Sequence, residues 1–150
     1  MTFRSILLSC FTLLATVGMA QPGAAVNQKD AQGHKQGPWQ RNWAESSQLR
    51  YTGQFKNDKP VGDFIYYSTT GKVESRIDHY VGSDAAHAKH FHPDGKLLAE
   101  GRYVGEDKDS TWNYYDTDGI LRSTEHWKKG KMDGEMTTFY ADGKVTERRH

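Results

Sequence analysis

Four phrases decide the fold: Tyr67-Ser68-Thr69-Thr70-Gly71-Lys72-Val73, Phe91-His92-Pro93-Asp94-Gly95-Lys96-Leu97, Tyr115-Asp116-Thr117-Asp118-Gly119-Ile120-Leu121 and Phe139-Tyr140-Ala141-Asp142-Gly143-Lys144-Val145. In each, an aromatic residue is followed by a glycine and then an aliphatic residue, and the phrase returns every 24 residues. A fixed period of this length marks a repeat architecture. Between the phrases, aromatic and β-branched residues form short runs bounded by Gly, Asp and Asn, such as Gly62-Asp63-Phe64-Ile65-Tyr66-Tyr67 and Ser110-Thr111-Trp112-Asn113-Tyr114-Tyr115. These runs read as strands. Asp-Gly at 94–95, 118–119, 133–134 and 142–143 is a hairpin signal, because the turn needs a positive φ that glycine adopts freely.

Each unit is therefore expected to be a pair of short antiparallel strands. The whole is an all-β meander of about four to five 24-residue hairpin repeats in a single twisted sheet. The units divide at 33–52, 53–78, 79–100, 101–125 and 126–150, with the first divergent, as terminal repeats commonly are. Since 24 is even, each position keeps its face from unit to unit. Tyr67, Phe91, Tyr115 and Phe139 form one column, and Val73, Leu97, Leu121 and Val145 another. The six residues from Leu97 to Tyr103 and from Leu121 to Trp127 place each pair on one face. The seven from Val73 to Tyr80 require a β-bulge.

The phrase Ser110-Thr111-Trp112-Asn113-Tyr114-Tyr115-Asp116-Thr117-Asp118-Gly119-Ile120-Leu121 resembles the variant MORN repeat. The chain looks most like bacterial proteins labelled YwqK-family antitoxins, with the likeness running from about Gly33 to Val145. The resemblance implies a twisted antiparallel meander used as an interaction or scaffold module. It carries over no catalytic residues.

Residues 1–20 read as a secretory signal. Arg4 supplies the positive charge, Ile6 to Val17 the apolar core, and Gly18-Met19-Ala20 a small-x-Ala cleavage site. The apolar stretch is shorter than the roughly 20 residues of a spanning helix, so no stable membrane span is expected after cleavage. Residues 21–32 read as a flexible linker. The single cysteine, Cys10, falls within the leader, so the exported chain is expected to lack disulfides. Export places the protein in the periplasm or outside the cell, where an antitoxin against a cytosolic toxin would not be needed.

Charge argues against nucleic acid. Arg4 is the only basic residue of the leader among 20 Lys and Arg, so the remainder balances the 19 Asp and Glu. A nucleic-acid binder concentrates basic charge on one face.

Three sets of residues are candidates for function. Phe64, Tyr66, Trp112, Tyr114 and Trp127 are rings that, if exposed, would stack sugars or hold a partner. His87, His90 and His92 are imidazoles in the most divergent unit. His90 and His92 share a strand face, with Asp94 or His79 as a possible further metal ligand. The acidic residues Asp63, Glu106, Asp107, Asp109, Asp116, Asp118, Asp133 and Asp142 fall mostly in turns, where Asx chemistry accounts for them. No nucleophile elbow, P-loop or dinucleotide fingerprint is present. The expected function is that of an exported, non-enzymatic interaction or scaffold module, antitoxin- or immunity-like, that needs no cofactor. Its partner would be another protein of the envelope or secreted fraction. A carbohydrate or cell-wall binding module built on the aromatic ladder is the alternative.

Overall fold

A computed structural model describes residues 25–150. The leader, Cys10 and the first residues of the segment read as a linker lie outside it. Twelve strands form one antiparallel sheet, with no helix among the described residues. They are β1 (Gln28–Lys29), β2 (Lys35–Asn42), β3 (Leu49–Lys56), β4 (Lys59–Tyr67), β5 (Val73–His79), β6 (Ala85–Phe91), β7 (Leu97–Val104), β8 (Asp107–Tyr115), β9 (Leu121–Lys128), β10 (Lys131–Met132), β11 (Met136–Phe139) and β12 (Val145–Arg149). Spatial order follows chain order, except that β9 pairs with both β10 and β11. This is the expected meander.

Four turns at the glycine phrases are copies of one another. The amides of Ser68, His92, Asp116 and Tyr140 donate to the carbonyls of Lys72, Lys96, Ile120 and Lys144, four residues on. The amides of Gly71, Gly95, Gly119 and Gly143 close back onto the first residue of each turn. All four glycines have φ between +81° and +89°, the left-handed region where a Cβ is penalised. A fifth copy sits at Asp30–His34, with Gly33 in the same role. The chain thus pairs from Asn27 onward, whose amide donates to the Pro38 carbonyl. Residues 28–29 thus form the first strand of the sheet and 30–34 its first turn, inside the segment that the sequence reads as a linker up to residue 32.

After each of the four glycine-phrase turns, and after the loop between β2 and β3, one strand carries an extra residue. Arg50, Glu74, Leu98, Arg122 and Thr146 are the unpaired residues of five β-bulges, again 24 apart. The bulge resets side-chain alternation. Leu97, opposite Phe91, therefore faces away from Tyr103, and Leu121 away from Trp127, contrary to the parity expected from their six-residue spacing. Tyr80 lies beyond the end of β5, so its expected place in the ladder is taken by His79. The true column is Phe55, His79, Tyr103 and Trp127, one ring per unit.

Burial is concentrated on one face of a single sheet. Phe64, Ala86, Ala88, Ala99 and Trp112 are its buried hydrophobic residues, with Trp112 1% exposed and Phe64 2%; Ala85, at the start of β6, is the one buried hydrophobic residue of the other face among the described residues. Two glycines make this possible. A Cβ on Gly53 would lie 2.5 Å from the Phe64 ring, and one on Gly101 would lie 2.3 Å from the Trp112 ring. Each ring lies flat on the backbone of the neighbouring strand, a known use of glycine in sheets. Edge-on rings complete each enclosure. Phe55 and His79 flank Phe64 at 5.2 and 5.1 Å, while Tyr103 meets Trp112 at 4.9 Å. The unit between them carries Ala88 at the equivalent position, fully buried and packed with Ala99 and Trp112. Large and small residues therefore alternate at Phe64, Ala88 and Trp112, and the Trp112 ring covers the small residue of the unit before it.

Gly101→Ala is expected to lower unfolding free energy by about 1–3 kcal/mol, the cost of overpacking a closed site, with a change in Trp fluorescence. Gly95→Ala, with a φ of +89° and open space around the added methyl, is expected to cost about 1 kcal/mol and leave the fluorescence unchanged. Urea titration followed by both signals separates the two effects.

Candidate functional site

The buried face carries the aromatic candidates, and it is closed. Phe64 and Trp112 have no surface to offer a sugar or a partner, which corrects the expectation that they line an exposed binding ladder. Trp112 Nε1 donates to the Arg102 carbonyl at 3.0 Å, satisfying its only polar atom. Tyr66, Tyr114 and Trp127 are half-buried. Tyr114 and Trp127 are committed to a single cation: Lys108 Nζ sits 4.7 Å from the Trp112 ring, 5.1 Å from Tyr114 and 4.7 Å from Trp127. It also donates to the Tyr114 hydroxyl at 2.6 Å. Glu125 completes the group by accepting from Trp127 Nε1 at 2.9 Å. Burial, reinforced by the Glu125 carboxylate, pushes the Tyr114 phenol well above its usual range. This cluster is a cation–π clasp joining β8 to β9, and it closes that part of the face.

The three histidines do not converge. His87 and His90 lie three residues apart on β6 and so project to opposite faces. His90 stacks on Trp112, with centroids 5.8 Å apart and planes at 19°, and shares a 2.7 Å hydrogen bond with Ser75 Oγ. His87 faces the other way, 3.8 Å from Glu100. His92 lies beyond β6, in the turn, with Nε2 3.0 Å from the Tyr115 carbonyl. It therefore does not share a strand face with His90. Among the described residues no three His, Cys, Asp or Glu side chains stand close enough to hold a metal ion.

The opposite face of the sheet is polar and open. Ile65, Arg76, Lys89, Glu100, Asn113, Thr124 and Thr137 stand directly opposite one another across seven successive strands. Glu100 is the hub of this row. It accepts from the Tyr115 hydroxyl at 2.9 Å and pairs with His87 and Lys89. Asn113 accepts from Thr124 Oγ1. Towards the glycine turns the row gives way to the pairs Tyr67–Val73, Phe91–Leu97 and Tyr115–Leu121, all half-buried. Neighbouring units are tied along this margin. Lys72 Nζ donates to the Pro93 carbonyl at 2.7 Å and Lys96 Nζ to the Thr117 carbonyl at 2.5 Å. Sequence reasoning named the aromatic column of this face but missed the charged row, because that row becomes visible only once register is known.

Two segments of the chain, residues 86–104 and 132–150, match the family model of the MORN repeat variant. No curated protein matches the chain in sequence. It is similar to the crystal structure of TarM at 13% identity and a TM-score of 0.44, over 73% of this chain and 19% of that one. Variant MORN repeats are thus found at two places in the chain, within an antiparallel meander consistent with a MORN-like hairpin array.

His79 and His90 make the closed face sensitive to acid. Burial lowers the pKa of both, and the nearby Lys108 ammonium lowers that of His90 further. His79 Nε2 is buried without a hydrogen-bond partner. Below the unfolded histidine value of about 6.5, the unfolded chain takes up protons that the folded chain resists. Stability is therefore complete above that pH and falls as pH drops towards the depressed folded values. Melting temperature is expected to decline between pH 7 and pH 5. His79→Phe, which places an apolar ring where other units carry Phe55, Tyr103 or Trp127, is expected to add about 1 kcal/mol at pH 7 and to flatten the decline. An unchanged pH slope in that variant would contradict the assignment.

Proposed function

We propose that this protein is an exported, non-catalytic interaction module that binds another protein of the envelope or secreted fraction on its polar face. The observation that carries this reading is the division of labour between the faces. One is spent on closing the sheet around Phe64 and Trp112, and the other presents rows of side chains across consecutive strands. MORN repeats are repeat modules often used for binding, and a row that crosses several units suits an extended contact with a protein surface.

Burial of Phe64 and Trp112 favours this reading over the carbohydrate alternative, which needed those rings in the open. The leader read from Arg4 to Ala20 supports export, with Gln21 as the first residue of the mature chain. An immunity-like role, in which the module covers a toxin met outside the cytosol, is the form closest to the resemblance to YwqK-family proteins.

Affinity capture of the mature chain from the envelope and secreted fractions of its host, with N-terminal sequencing of the bait, tests both parts. The expected result is a bait beginning at Gln21 with one stoichiometric protein partner. A bait retaining Met1 would overturn export, and recovery of polysaccharide without protein would overturn the protein-binding reading.

A further inference from the structure

The polar face contains a groove of about 660 Å³ at the junction of two repeats. Val73, Phe91 and Pro93 form its apolar lining, and Lys72, Arg76 and Lys89 bring three cations to it. Asp94 is the acidic residue of the lining.

The charges are arranged against the interest of the fold. Arg76 and Lys89 stand directly opposite each other on β5 and β6, where like charges destabilise a strand pair. The residue beyond Lys89 in the row, Glu100, compensates Lys89 alone at 3.8 Å and is shared with His87. Lys72 is oriented by its 2.7 Å hydrogen bond to the Pro93 carbonyl. That contact satisfies one donor without cancelling the charge. Arg76 makes no ion pair among the described residues, and its side chain borders the groove. Elsewhere on this face Arg102 has Asp109 at 3.9 Å, whereas Arg76 has no such partner among the described residues.

Resting on the reading of this chain as a protein-binding module, we propose that the groove receives an acidic peptide segment of the partner, in which carboxylates flank an apolar side chain. The apolar residue packs between Val73 and Phe91. Its acidic neighbours meet the Arg76 guanidinium and the Lys72 and Lys89 ammonium groups. Arg76 is the anchor, because its planar fork donates two parallel hydrogen bonds to one carboxylate. The occupant supplies the counter-charge that the sheet lacks at this pair.

The test uses the full mature chain and a fluorescently labelled peptide, Glu-Glu-Phe-Glu-Glu, with Gln-Gln-Phe-Gln-Gln as control. Saturable binding of the acidic peptide is expected, weakening as salt is raised, with at least tenfold weaker binding of the glutamine peptide. Arg76→Glu is the discriminating variant. It converts the like-charge pair with Lys89 into an attractive one, so its melting temperature should be unchanged or higher while peptide affinity falls at least tenfold. Charge reversal at the exposed Lys131, away from the groove, should leave binding unchanged.

Equal affinity for the two peptides, no saturable binding, or full affinity in Arg76→Glu would overturn the proposal. Binding of an acidic polysaccharide in place of the peptide would overturn it as well. The outcome is separable from that of the broader reading. A captured partner that Arg76→Glu still retains would leave the interaction module standing and remove this groove as its site.

Discussion

The structure depends on an aromatic ring lying flat on a glycine of the adjacent strand. A single sheet has no second layer to cover its apolar face, and this chain is only 35% hydrophobic. Stacking Phe64 on Gly53 and Trp112 on Gly101 lets two large rings reach almost complete burial without one. Rings of this size remove about 150–250 Å² each from water, or roughly 4–6 kcal/mol apiece at 25 cal/mol per Å². Edge-on neighbours from the Phe55–His79–Tyr103–Trp127 column supply the walls. Where the pattern carries Ala88, the neighbouring Trp112 covers it. The units are therefore not independent hairpins placed side by side. Each completes the enclosure of the next, and stability is shared between nearest neighbours.

That constraint fixes which face is available for recognition. Side chains alternate along a strand, so every ring placed on the closed face leaves its sequence neighbour on the other. Trp112 thereby presents Asn113, and Ala88 presents His87 and Lys89. Bulges at Arg50, Glu74, Leu98, Arg122 and Thr146 shift the phase once per unit, which keeps the pattern in step across the sheet. Direct hydrogen bonds from Lys72 and Lys96 to the next unit's turn hold the open margin in a defined shape. The surface is periodic and polar and is tied at two unit junctions, a form that suits the extended contact proposed for it.

Much of this was legible in the sequence. The aromatic–glycine–aliphatic phrase sets the turns, and Asp-Gly marks most of them. The 24-residue period sets the topology, because an even period with short turns leaves a meander as the simple arrangement. Face assignment beyond the turns was not legible, because a bulge of one residue inverts every side chain after it. For that reason the six-residue spacing of Leu97 and Tyr103 implies a shared face that the bulge at Leu98 removes, and the sequence does not mark His79 as a member of the ring column. Burial of Phe64 and Trp112 is faintly written in the sequence: the decisive partners, Gly53 and Gly101, lie 11 residues before their rings in runs that otherwise look like ordinary strand interiors. A glycine inside a strand pattern, at a constant offset before an aromatic residue, was the signal that could have found them. The charged row around Glu100 depends on register across several strands, which no single unit encodes.

The most direct test of this account is a double-mutant cycle between Gly101→Ala and Trp112→Ala, measured by urea unfolding. If the ring and the glycine form one closed contact, Gly101→Ala should be costly only while the ring is present. The two changes should then be non-additive, with a coupling of about 1–3 kcal/mol. Strict additivity would mean that Trp112 does not rest on Gly101, and the closed face on which the assignment of the binding surface depends would not exist as described.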